Sequence, residues 1–95
     1  MNQIDRIIHE PVRLVLVSSL YVVDEADFAY LADRTGFTSG NISSHMTKLE
    51  AAGYVEVTKT FVGKRPRTTY KLTKTGRHAF KQYRASVEGL LNAAD

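Results

Sequence analysis

Lys64, Arg65 and Arg67 put three basic side chains into four residues, gathered around Pro66. Ammonium and guanidinium groups bind phosphate, and arginine also enters the narrow, electronegative minor groove of A·T-rich DNA. Proline fixes its own φ and drives the residue before it toward extended backbone. The basic side chains are therefore expected to splay outward rather than fold back. The same sign persists around them: between residues 59 and 84 there are nine Lys/Arg and no Asp/Glu. Residues 1–35 carry three arginines and six acids, whereas residues 36–95 carry ten Lys/Arg and four acids. A one-sign field of this density concentrates an anionic partner. Lys71, Lys74 and Arg77, at the start of the last helical pattern, are placed to neutralise further phosphates.

Other chemistries find little support. The chain has no cysteine, which removes disulfides, thiolate metal sites and a cysteine nucleophile. His9, His45 and His78 lack the HxxxH or HExxH spacing that would put two ligands on one face. His45, beside an apolar helical stripe, reads as a partly buried residue or a phosphate contact. Asp24, Glu25 and Asp27 form a loop cluster suited to capping and solvation. Phosphate-loop and nucleophile-elbow patterns are absent, so no catalytic residue, metal or cofactor is expected. The apolar run at 14–17 is far shorter than the ~20 residues of a membrane span. With no signal-like opening, the expectation is a soluble cytoplasmic protein.

The elements that would position the basic cluster follow from periodicity. With 95 residues, 43% of them apolar, one domain over 1–95 is expected, its core at about 10–73. Residues 2–9 suggest a short helix with Ile4, Ile7 and Ile8 apolar, and Pro11 suits the first position of the next. Leu14, Val17, Leu20 and Tyr21, with Leu16 beside them, mark that helix's inner face. Asp27 can cap a helix carrying Phe28, Leu31 and Ala32, with a very short strand possible just before it. Gly36 ends this helix, Phe37 fills the corner, and Thr38 caps another. Ile42, Met46 and Leu49 form its buried stripe. Its opposite face, Ser39, Gly40, Asn41, Ser43, Ser44, Thr47 and Lys48, is small and polar and holds no acid. Such a face can approach a polyanion, so the pair is a helix-turn-helix candidate.

After Gly53 the period changes to two. Val55 and Val57 alternate on one strand, and Tyr70 and Leu72 on another. The seven residues from Phe61 to Arg67 read as the hairpin tip, with Phe61 packed inward. Thr73 can cap a last helix at about 74–92. Its apolar positions Phe80, Tyr83, Val87, Leu90 and Ala94, with Leu91 beside them, recur every three and four residues, the spacing of a coiled-coil seam. So small a domain has little core left for this helix, and the seam reads as a homodimer contact.

Taken in order, PVRLVLVSSL, DFAYLADRTGFTSGNISSHMTKLEAAGYVEV and FVGKRPRTTYKLTKTGR resemble the winged-helix transcriptional regulators of the MarR and ArsR type, over roughly residues 10–80. The resemblance implies a mainly α fold with a small β-hairpin wing (α+β). It also implies a homodimer that binds double-stranded DNA, the helix at 38–52 in the major groove and the wing on backbone or minor groove. Carried over by position, Thr38, Ser39, Asn41, Ser43, Ser44, Thr47 and Lys48 would face the groove, and Lys64, Arg65 and Arg67 would act from the wing. The missing cysteines put the thiolate metal sensing of the ArsR branch out of reach. A small-molecule effector, if one acts, would bind at the dimer interface, since no separate ligand domain is evident. The alternative function is a winged-helix protein-interaction module that does not bind nucleic acid.

Overall fold

The computed structural model describes residues 4–94. Helix α1 (Pro11–Tyr21) starts where the side chain of Glu10 accepts hydrogen bonds from the N–H groups of Val12 and Arg13, with Pro11 in the first turn. Strand β1 (Ala26–Asp27) follows, and Asp27 then caps α2 (Phe28–Thr35) by accepting from the N–H of Tyr30. Gly36 closes α2 and Thr38 opens α3 (Ser39–Ala51), its hydroxyl accepting from Asn41 N at 3.2 Å. β2 (Val55–Val62) and β3 (Arg65–Leu72) form the hairpin, and α4 (Lys74–Ala93) completes the chain. The sheet is antiparallel in the order β1-β3-β2, with Ala26 opposite Tyr70 and Val55 opposite Leu72. This is the winged-helix α+β fold.

One apolar cluster joins the elements. Leu16, Val17 and Leu20 of α1, Leu31 of α2, and Ile42, Met46 and Leu49 of α3 meet Val55, Tyr70 and Leu72 of the sheet. Leu14 and Tyr21, read as inward from spacing, are only half-buried, because Leu16 takes the central place.

Residues 4–9 do not form the expected helix; residues 2 and 3 of that stretch lie outside the described residues. Asp5 bends the chain into a single turn, its carboxylate accepting from the N–H of Ile7 and its carbonyl from the N–H of His9. Ile8 is thereby fully buried. The segment is fastened twice more: Tyr54 donates its hydroxyl proton to Asp5 Oδ2, and His9 Nδ1 lies 2.9 Å from the Tyr83 hydroxyl. Burial and the acceptor Asp5 push the Tyr54 phenol up to about 12 from its ordinary 10.0. A raised folded pKa stabilises the fold fully below pH 10.0, and that contribution is lost as pH rises toward about 12. Absorbance titration of wild type against Tyr54→Phe should assign one tyrosine to a transition near 12, and Asp5→Asn should move it down.

The hairpin tip is shorter than the sequence suggests. Val62 pairs with Arg65, so only Gly63 and Lys64 turn the chain. Gly63 takes φ 64° and Lys64 does not have positive φ, the requirement of a type II′ hairpin. Pro66 is inside β3, opposite Phe61. Counting from the closing pair, this rung is one where neither residue donates across the hairpin, so the missing proline N–H costs no ladder bond.

Helix α4 lies closer to the core than its spacing implied. Phe80 packs against Tyr21 with centroids 4.9 Å apart and the rings tilted at 50°, and Tyr83 meets His9 at 5.8 Å. Both are buried in their own chain, and Val87 is half-buried against the same cluster. The expected seam is thus divided: Phe80 and Tyr83 belong to the core because Tyr21 and the 4–9 segment reach up to cover them. Only its far end, Leu90 at 59% and Leu91 at 67% exposure, stands free.

Candidate nucleic-acid interface

Helix α3 is set by its buried stripe and by a polar clamp on its flank. Arg13 donates from Nη1 to His45 Nδ1 at 3.0 Å, and from Nε to the carbonyl of Ile7. Glu10 Oε2 lies 3.3 Å from the same imidazole nitrogen. His45 is therefore the partly buried residue the sequence allowed, and it is engaged inside the molecule. Burial works to raise the Glu10 carboxyl, but the Val12 and Arg13 N–H groups, with His45 and Arg13 beside it, bring it below its ordinary 4.5. Its support for α1 is complete above pH 4.5 and is lost as pH falls through the lower folded value.

With that face held, Ser39, Asn41, Ser43, Ser44, Thr47 and Lys48 are all exposed on the other, and Thr38 is exposed at its entry. Thr47 donates its hydroxyl proton to the Ser43 carbonyl at 2.9 Å, so toward a ligand it offers only acceptor lone pairs. Ser39, Ser43 and Thr47, one helical turn apart, line a cleft of about 430 Å³ whose other wall is the hairpin. That wall comprises Val57, Lys59, Thr68 and Tyr70, which strand alternation puts on one face. Glu50 enters the same cleft, so the acid-free character of α3 ends at its last turn. Burial, then the nearby Glu50, raises the Tyr70 phenol.

The basic candidates fall into three groups. Lys64 and Arg65 are exposed at the hairpin end. Arg67, also exposed, lies across the ribbon with Nε 3.4 Å from Asp27 Oδ2, so one carboxylate both caps α2 and steadies the base of the wing. Strand alternation turns Arg65, Arg67 and Lys71 to the face opposite Lys59, and Lys71 has Glu56 as its cross-strand neighbour. Lys74 is exposed at the first turn of α4. Arg77 is not brought to this surface. Its guanidinium donates to the carbonyls of Tyr21 (3.1 Å) and Val23 (3.0 Å) and lies 5.5 Å from the centre of the Tyr21 ring, closing the C-terminal end of α1. Of these two, the Tyr21 carbonyl is one that α1 leaves open, and the guanidinium also borders a surface pocket beside Lys71 and Asp24. Lys59 and Thr68 were missed as candidates, although the alternation that placed Val55 and Val57 inward puts Lys59 next on that face.

A family model described as a winged helix DNA-binding domain matches residues 12–91. The chain belongs to that family. It is similar to the uncharacterized protein MJ0432 of Methanocaldococcus jannaschii, with 37% identity over 78 residues, covering 82% of this chain and 85% of that protein. Among solved structures it is similar to a transcriptional regulator homologue from Pyrococcus horikoshii OT3. The TM-score is 0.88 at 30% identity, covering 96% of this chain and 90% of the other. A possible transcriptional regulator for arsenical resistance aligns at a TM-score of 0.60 and 28% identity, over 88% of this chain and 79% of that one. The winged-helix resemblance read from the motifs is thus confirmed, and DNA binding is the property by which the family is described. Among the described residues, no helix is long and apolar enough to cross a membrane.

Proposed function

We propose that this protein is a sequence-specific, double-stranded-DNA-binding transcriptional regulator that acts in the cytoplasm as a homodimer. The observation that carries this reading is the shared cleft. The hydroxyl face of α3 and the Lys59 face of the hairpin form one concave surface beside an exposed, basic hairpin end. In this reading α3 enters the major groove, with Asn41 and the hydroxyls at the base edges and Lys48 on a phosphate. Lys64, Arg65 and Lys74 neutralise phosphates, with Arg67 and Lys71 in support. Leu90 and Leu91, with Val87 at their base, pair two copies, which separates the recognition helices by about one turn of DNA, ~34 Å.

Selection of bound duplexes from a random pool, at a stated salt concentration, tests the reading. A palindromic consensus is the expected result; an absence of any enriched duplex would overturn it. The wing's share is measured separately. Replacing Lys64 and Arg65 together with alanine should weaken binding to all duplexes and reduce the slope of log K against log[salt] by about 3.6 for a bound dimer, since two phosphate contacts per protomer each contribute roughly −0.9. An unchanged slope would remove the wing from the phosphate contacts.

A further inference from the structure

Phe61 is the most exposed large apolar side chain among the described residues, at 73%, and its exposure is not that of a disordered tip. It sits in a paired strand, directly opposite Pro66, on the rung next to the closing pair of a two-residue turn. A rung without cross-strand hydrogen bonds brings its side chains closest together, with Cβ atoms about 4.5–5.5 Å apart. Phe61 and Pro66 therefore form one apolar projection. Side chains alternate along each strand, which puts this projection on the face of Lys59 and Thr68, two rungs further out. That face forms the hairpin wall of the cleft. The arginines Arg65 and Arg67 are on the reverse face, and Lys64 is at the turn.

We propose that Phe61, backed by Pro66, is an apolar wedge that enters a base step from the minor groove of bound duplex DNA. This rests on the DNA-binding reading above. A duplex seated on the polar face of α3 meets the cleft-side face of the hairpin, so it meets Phe61 and Pro66 before it meets either arginine. Phenylalanine and proline are among the side chains that part stacked bases and kink a duplex. The surroundings favour a nucleic acid over a protein surface. Lys59 shares the face of the apolar pair and Lys64 is at the turn beside it; Arg65 is behind them on the reverse face, as is Arg67, which is paired with Asp27. A polyanion whose stacked bases have flat apolar faces complements both parts of that patch. Phe61 then opens the step while the neighbouring cations hold the flanking phosphates.

The test uses the full chain and A·T-rich duplexes of about 25 base pairs containing flexible TA steps. The ends carry a fluorophore pair, and 2-aminopurine replaces each adenine in turn. Wild type should raise 2-aminopurine fluorescence at one step in each half-site, shorten the end-to-end distance and bind less tightly as salt rises. Phe61→Ala should bind a two-half-site duplex about a hundredfold more weakly, by the scale of one lost base–aromatic contact in each protomer. Its salt slope should equal that of wild type, while the fluorescence rise and the shortening disappear. Phe61→Leu, which keeps an apolar wedge, should recover part of both. Arg65→Ala should lower the salt slope and leave the fluorescence rise in place. Because Phe61 is exposed, its variants should unfold at the wild-type temperature. A Phe61→Ala protein that matches wild type in affinity, fluorescence and duplex length overturns the wedge. A wild type that binds duplex without opening any step overturns the wedge and leaves DNA binding standing. A wild type that binds no duplex removes both.

Discussion

Replacing Leu49 with lysine should abolish the cooperative fold, leaving no thermal transition by circular dichroism at any temperature. Leu49 is fully buried at the end of the α3 stripe, and the chain reverses immediately after it, with Tyr54 N–H donating to its carbonyl at 3.0 Å. Losing the buried leucine removes about 1.5–3 kcal/mol. An unpaired ammonium in its place costs several more, unless the lysine neutralises or the helix moves to let it reach water. Native stability is of order 5–15 kcal/mol for whole domains, and a chain of this size lies toward the low end. Leu49→Met, of similar volume, should cost less than about 1.5 kcal/mol and retain DNA binding, if binding is as proposed. A folded Leu49→Lys protein would mean that α3 can rotate out of the core.

This position was legible from sequence alone, as was everything else governed by local spacing. Ile42, Met46 and Leu49 are at helical intervals, and all three are buried. Asp27, Thr38 and Thr73 each accept from an N–H three residues on, which depends only on neighbours in the chain. What spacing could not supply is the identity of the surface covering each face. Phe80 and Tyr83 have a seam's spacing, but Tyr21 and His9, more than fifty residues away in sequence, turn them into core. Arg77 has the chemistry of a phosphate contact, but its guanidinium is engaged by the carbonyls of Tyr21 and Val23, a contact that no local spacing reveals. Phe61 was expected inside on the strength of its chemistry; the register carries its face of the hairpin beyond the end of the core. The faces of Arg65 and Arg67 depended on whether the tip held seven residues or two, and only the pairing decides that.

Gly76→Ala should lower thermal stability, against the intrinsic preference of the helix it belongs to. Alanine is favoured over glycine within a helix by about 1 kcal/mol, so a substitution free of contacts should stabilise. At Gly76 the added Cβ would be 2.1 Å from the Tyr54 carbonyl oxygen and 2.9 Å from its carbon, and both are backbone atoms that cannot rotate away. The approach is held by three bonds around one residue. Thr73 N–H donates to Tyr54 O at 3.0 Å, its hydroxyl donates to Gly53 O at 2.7 Å, and it accepts from Gly76 N–H at 2.9 Å. Relieving the clash lifts the first turn of α4 from the turn after α3 and strains all three. Overpacking of this kind costs about 1–3 kcal/mol and a lost hydrogen bond about 0.5–1.5. After the alanine gain is subtracted, a fall of roughly 5–15 °C in Tm is expected. Gly89, in the same helix, has no atom within 4 Å of an added Cβ, so Gly89→Ala should instead raise Tm by a few degrees. Opposite signs from one substitution in one helix separate close approach from helix propensity. In the proposed dimer, the seat of α4 on Tyr54 would set the direction in which Leu90 and Leu91 point, and so the spacing of the two recognition helices. Gly76→Ala should therefore lose affinity for a two-half-site duplex more than for a single half-site, whereas Gly89→Ala should leave both unchanged.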